Sequence, residues 1–255
     1  MPAAARFMWR NLINELSSVT LTATSATVSV TNVAHHALKK AWRTSGISSE
    51  SVTIDLGTTS EPVKSVCVAG HNLTTGGTVE VLHSTDNSVF TSVGVKTVGS
   101  AKIVTFFFSS LSKQYWRVIL KDSTNSDNYM KVGRIFLGDY WEPAAQITRN
   151  WSVEIVDETE IEKSIGGQKW RNIRDSFVRV SFRLPHLSKS EAVEDFFNMV
   201  RRMGTKEDLF ISLFPDGSST LKSVTDLYGN FVGAPGMTNP VIAIYDTNEV
   251  LFEQN

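Results

Sequence analysis

Between residues 51 and 82 the chain alternates between short runs of β-branched apolar residues and glycine-bearing turns. Residues 52–56, 63–69 and 78–82 form three such runs, and their Val and Ile side chains suit a pleated, half-buried surface. Gly57, Gly70 and the Gly76–Gly77 pair fall between the runs, where a turn needs backbone that glycine adopts cheaply. Upstream, residues 17–31 alternate apolar and hydroxyl side chains: Val19, Leu21 and Ala23 share one face, and Val28 and Val30 share another. Residues 34–42 suit a short helical turn, and 43–50 a polar loop. Downstream, a turn at Asp86–Asn87 separates two strand-like segments, and the apolar runs 103–108, 115–120 and 131–137 follow, broken by a polar loop at 121–128. Eight or so short strands with turns at this spacing predict an antiparallel β-sandwich or jelly roll ending near 138–143.

The second half has a different rhythm. Residues 151–156 alternate, and a polar segment then runs through Gly166–Gly167. Residues 177–184 give a one-sided strand, with Val178, Val180, Phe182 and Leu184 inward and Arg179, Ser181 and Arg183 outward. A helix is expected over 189–203, opened by a capping box of Ser188 and Glu191 and closed by Gly204. Its apolar stripe comprises Val193, Phe196, Phe197, Val200 and Met203. Residues 208–214, 240–245 and 249–253 complete the pattern as strands, the last two as a hairpin turning at 246–248. The chain is therefore expected to be mainly β, in three parts. These are an N-terminal arm (1–16), an antiparallel sandwich (17–143) and a smaller β-rich or α+β domain (144–255) with one helix.

Composition narrows the function classes. A net charge of −1 over 255 residues offers no general field for nucleic acid or an anionic membrane, so neither partner is expected. No apolar run approaches the ~20 residues of a membrane-spanning helix. The N-terminal residues MPAAARFMWRNLINEL lack the continuous apolar stretch of a signal peptide, so synthesis in a cytoplasm is expected. The single cysteine, Cys67, lies inside an apolar run and reads as a buried small hydrophobe.

No catalytic constellation emerges. Motifs for nucleophile elbows, phosphate loops and dinucleotide loops are missing, and the protein is not expected to be an enzyme or to carry a cofactor. His35, His36, His71 and His83 match no structural zinc spacing, so no metal is assigned to them. Asp157, Glu158, Glu160 and Glu162 read as a solvated face rather than a hydrolytic carboxylate pair. Asp122, Asn125, Asp127 and Asn128 suit either a calcium loop or an Asp/Asn-rich turn. The tryptophans are the richer signal, because indoles stack on sugars and anchor interfaces. Trp116 reads as core. Trp42, with Arg43 and His36, lies in an expected loop where a glycan would reach it. Phe7, Met8 and Trp9 in the arm and Trp141 at the domain junction are the expected interface anchors.

Several segments in order resemble the galactose-binding-like (discoidin, F5/8 type C) jelly roll. They are VTIDLG at 52–57, VKSVCVAGHNL at 63–73, VEVLHSTDNSVFTSV at 79–93, YWRVIL at 115–120 and VGRIFLGDYWEP at 132–143. The version with GHNL and GDYWEP is similar to proteins encoded in bacteriophage tail-gene clusters. GGQKWRNIRDSFVRVSFRL and the following helix resemble domains of tail-tip and baseplate components. The distal tail protein of that group carries its ring-forming domain first, and this chain has the opposite order. The resemblance implies a virion structural subunit made in a bacterial cytoplasm. It would form a homo-oligomeric ring and dock other phage tail proteins such as tail tube and hub. The alternative is a carbohydrate-binding module or host-receptor adhesin that binds cell-surface glycan near Trp42.

Overall fold

The computed structural model describes residues 4–57, 61–99 and 101–254. It divides into two compact units, Met1–Glu142 with Asp208–Tyr228, and Pro143–Glu207 with Gly229–Asn255. Two of the expected boundaries change. Residues 208–228, expected in the second domain, belong to the first unit. The described part of the arm is built into that unit too.

The first unit is an antiparallel jelly roll of five strands on three. The larger sheet runs Thr20–Ala23, Glu50–Asp55, Tyr115–Lys121, Thr78–Ser84, Thr91–Thr97 in spatial order. The smaller runs Arg134–Gly138, Pro62–Ala69, Ile103–Ser112. Alternation sends Val52, Ile54, Trp116, Val118 and Leu120 into the core and leaves the cross-strand pair Thr53 and Arg117 outside. Facing them from the smaller sheet are Val66, Val68, Ile135, Leu137, Val104 and Phe106. Each such large apolar side chain contributes about 1.5–3 kcal/mol on burial.

The smaller sheet is covered on its other face as well. Cys67, Ala69, Phe136 and Ile103 pack there against Met8, Phe210 and Tyr228. Two covered faces explain why 66–69 reads as an unbroken apolar run rather than an alternating one. The covering layer comes from the N-terminus and from 208–228. Arg6–Met8 pairs with Leu209–Ser212, matching Phe7 with Ile211 and Met8 with Phe210. Asn11 locks the next turn to the same sheet: its amide donates to Ile135 O (2.9 Å), and its carbonyl accepts from Ile13 N (3.3 Å) and Leu137 N (3.1 Å). The short helical turn expected at 34–42 lies earlier, at Val30–Ala34.

The second unit is built on Ser152–Val156, Phe177–Phe182 and Val250–Gln254, joined in that order, with Gly229–Phe231 pairing on the last. Val180, Phe182 and Leu184 face inward as expected. The expected capping box is present: Ser188 N donates to Glu191 Oε2 (2.9 Å) and Glu191 N to Ser188 Oγ (3.3 Å). Gly204 closes the helix with a φ of +47°. The helix itself begins as a π-helix over Glu191–Phe196 and continues as an α-helix over Phe197–Arg202. The wider first turns shift the helical phase, so Ala192 and Met199 are buried while Val193 and Phe197, expected inside, are exposed. The terminal hairpin also differs. Met237–Val241 pairs with Ile244–Thr247, whereas Val250–Gln254 joins the main sheet of this unit. The segment read as polar through Gly166–Gly167 and the residues after it form a two-stranded hairpin, Glu160–Lys163 against Lys169–Asn172. No helix among the described residues is long and apolar enough to cross a membrane.

Candidate functional site

The structure separates the residues proposed for glycan contact. Trp42 is fully buried, and its indole Nε1 donates to Ser25 O (3.0 Å). It lies in the two-residue strand Trp42–Arg43, which pairs Val132 with Trp42 and Lys131 with Arg43. Alternation along that strand puts Trp42 in the core and Arg43 in solvent, so the indole presents no face to a sugar. The ring of His36 stacks on His35 with centroids 4.3 Å apart, and its carbonyl accepts from Tyr228 Oη (2.9 Å). Two of the four expected interface anchors, Phe7 and Met8, are corrected in the same way. Phe7 and Met8 are fully buried within their own unit, because Arg6–Met8 is a paired strand rather than a free arm. Trp141 is half-buried against Phe7, ring centroids 5.3 Å apart, and the two backbones exchange hydrogen bonds of 2.9 Å. Trp9 is half-buried.

Arg43 has an aromatic partner that the sequence did not reveal. Its guanidinium lies 3.4 Å from the centroid of the Tyr129 ring. Tyr129 sits at the end of the polar loop after Tyr115–Lys121, and side-chain hydrogen bonds fix that loop. Asn72 Nδ2 donates to Tyr129 O (3.0 Å) and Asp127 Oδ2 (2.8 Å), while its Oδ1 accepts from Lys131 N (2.8 Å). Thr44 Oγ1 accepts from Met130 N (2.8 Å) beneath them. At the root of the loop the Asp122 carboxylate accepts from Thr74 N (2.6 Å), Thr74 Oγ1 (2.9 Å) and Thr124 Oγ1 (3.0 Å). Burial alone would raise this carboxyl; the hydrogen bonds from Thr74 and Thr124 outweigh it and hold it below the usual carboxylate range. The Asp/Asn-rich segment is therefore a hydrogen-bonded turn. Among the described residues, no group of three His, Cys, Asp or Glu side chains is placed to hold a metal.

Asn72 also borders a polar cavity of about 360 Å³, lined by His71, Thr74, Thr75 and Lys102 among others. His71 is buried, and neither ring nitrogen has a hydrogen-bond partner among the described residues. Burial, reinforced by the Lys102 charge, lowers its pKa to about 4, so the imidazole is neutral at physiological pH.

A second cavity of the same unit, about 310 Å³, is lined by Lys96, Thr105, Lys222 and Asp226. Asp226 accepts from Ser212 Oγ (2.6 Å) and Thr105 Oγ1 (2.9 Å), with Lys222 Nζ 3.6 Å away. Lys96 Nζ donates to Thr105 O (2.6 Å). Burial raises the Asp226 carboxyl against the opposing Lys222 charge, and burial lowers the Lys96 ammonium. These bonds tie 208–228 to the strand Ile103–Ser112. Burial also raises the Cys67 thiol, which makes it a poor nucleophile.

Arg43, Lys131 and Asp127, which are exposed, and Tyr129 and Asn72, which are half-buried, thus form a solvent-facing edge with an aromatic ring, two cations, an amide and a carboxylate. Such a set offers stacking, donors and acceptors to a hydroxyl-rich ligand. Sequence reasoning found Arg43, singled out Asp127 only as part of a calcium loop or turn, and missed Tyr129, Lys131 and Asn72. The signal for Asn72 was the GHNL segment, and for Tyr129 a lone aromatic in an otherwise polar loop.

No family model and no curated protein matches the sequence. Among solved structures, the chain is similar to CpGH89CBM32-5 from Clostridium perfringens, determined with GalNAc-beta-1,3-galactose. That match has 14% identity and a TM-score of 0.43 and covers 49% of this chain and 99% of that one. It is also similar to the family 32 carbohydrate-binding module of NanJ from C. perfringens, determined with galactose (17% identity, TM-score 0.41, 54% and 99% covered). A third similar structure is chitosan-binding module 1 from the chitosanase/glucanase of Paenibacillus sp. IK-5 (17% identity, TM-score 0.42, 51% and 99% covered).

Proposed function

We propose that this chain is a non-catalytic glycan-binding protein whose jelly-roll unit holds a saccharide at Arg43 and Tyr129. The observation that carries the reading is the guanidinium fixed 3.4 Å from the Tyr129 ring on a solvent-facing edge. Around it, Asn72 and Asp122 hold the supporting loop in place, which lowers the ordering cost of binding. The test is an array of immobilised mono- and oligosaccharides probed with the wild type, Arg43→Ala and Tyr129→Ala. Binding by the wild type and loss of at least about tenfold in each variant, at unchanged melting temperature, supports the site. Equal binding by all three proteins refutes it.

The exposed hairpin of the second unit favours a second reading, a structural subunit of a phage tail tip or baseplate. In that reading the protein is made in a bacterial cytoplasm, assembles as a homo-oligomer and docks tail tube and hub proteins in the virion. Immunogold labelling of phage particles separates the outcomes: gold at one end of the tail supports it, and unlabelled particles beside free protein refute it.

A further inference from the structure

Among the described residues the hairpin Glu160–Lys163/Lys169–Asn172 pairs with no other strand, and all eight of its residues are exposed. Its register sorts charge by face. Residues directly opposite in an antiparallel pair share a face. The pairs Glu160–Asn172 and Glu162–Trp170 therefore make one side, and Ile161–Arg171 and Lys163–Lys169 the other. On the first side Arg174 pairs with Glu160 (2.7 Å) and lies 3.9 Å from Glu158, so that side stays acidic even with its one cation counted. Trp170, 67% exposed, stands among these carboxylates. The second side carries Lys163, Lys169 and Arg171 with Ile161, and none of the three cations has an ion-pair partner among the described residues.

Within one chain this arrangement works against the hairpin. Two lysines directly opposite each other repel, and an isolated two-stranded ribbon is marginal in water. Bared Ile161 and Trp170 add an apolar surface that water does not favour. An acidic partner surface over the basic side, and a basic one over the acidic side, would relieve each of these costs. Both surfaces are present on the same hairpin.

We propose that the hairpin is a self-association element, in which the basic side of one copy lies on the acidic side of the next copy. Because the two contacting patches differ, the contact is head-to-tail, which closes into a ring or extends as a filament. The occupant is a second copy of this chain. Complementary charge sets the order of copies, and Trp170 beside a neighbour's guanidinium supplies a cation–π contact. The inference deepens the assembly reading above and rests on it for biological setting only. Self-association is measured in solution and virion location on particles, so either can fail alone.

The test uses the full chain and two variants, one with Lys163→Glu, Lys169→Glu and Arg171→Glu, the other with Glu160→Lys and Glu162→Lys. Sedimentation velocity across the micromolar range reads the association, and circular dichroism melts confirm that both variants fold. The wild type is expected to form oligomers that dissociate as salt is raised. Each variant alone, with two like-charged sides, is expected to associate at least about tenfold more weakly, and an equimolar mixture of the two to recover association. A wild type that stays monomeric at low salt overturns the proposal, even if it captures some other acidic protein. Variants that associate as the wild type does overturn it equally.

Discussion

Acidifying the protein from pH 6.5 to about pH 4 is expected to remove about 3 kcal/mol of folding stability through His71 alone. In the unfolded chain this imidazole takes up its proton near pH 6.5, whereas in the folded state burial and the Lys102 charge delay uptake to about pH 4. Between those values the unfolded state binds one proton more than the folded state, so stability falls as pH falls. Each pH unit in that window is worth about 1.4 kcal/mol, and the loss accumulates until the folded imidazole also protonates. Carboxylates titrate over the same range, so the effect is read as a difference between the wild type and His71→Leu. Urea unfolding followed by tryptophan fluorescence, at pH steps from about 7 to about 4, supplies the two curves. The variant is expected to show a flatter dependence, by about 3 kcal/mol across the window. Parallel curves, or an NMR titration placing the folded His71 near 6.5, would refute the reasoning.

Trp42→Ala is expected to destabilise the first unit by about 3–5 kcal/mol, read as a lower urea midpoint, because it empties a fully buried indole site rather than a ligand platform. Asp122→Ala strips the acceptor from Thr74 N, Thr74 Oγ1 and Thr124 Oγ1; it is expected to cost about 1–3 kcal/mol and to weaken saccharide binding at the loop it anchors. Gly138→Ala places a methyl group against the carbonyl of Arg10 and is expected to cost about 1–3 kcal/mol, measured by thermal melting.

The jelly roll was legible because its strands carry local signals. Val52–Ile54 alternates with a period of two, 115–120 is a short apolar run of strand length, and glycines mark the turns. The Ser188–Glu191 capping box and Gly204 were legible for the same reason, since both act within one helical turn. The covering layer was not, because the partnership of Arg6–Met8 with Leu209–Ser212 spans about two hundred residues and no local pattern encodes it. That same pairing turned the expected interface anchors Phe7 and Met8 into core. Trp42 and Arg43 illustrate the limit most sharply: they are neighbours in sequence and opposites in burial, and only the pairing with Lys131–Val132 fixes which one faces out. The hairpin at 160–172 was not legible, because each of its strands holds a single apolar residue, on opposite faces and both exposed, so no apolar period marks it.

The most direct test of the central claim is saccharide binding by the intact chain, wild type against Arg43→Ala, on one array of immobilised mono- and oligosaccharides. The wild type is expected to bind a saccharide whose signal falls at least about tenfold in the variant while the melting temperature is unchanged. Absence of any bound saccharide, or one held equally by both proteins, would contradict it.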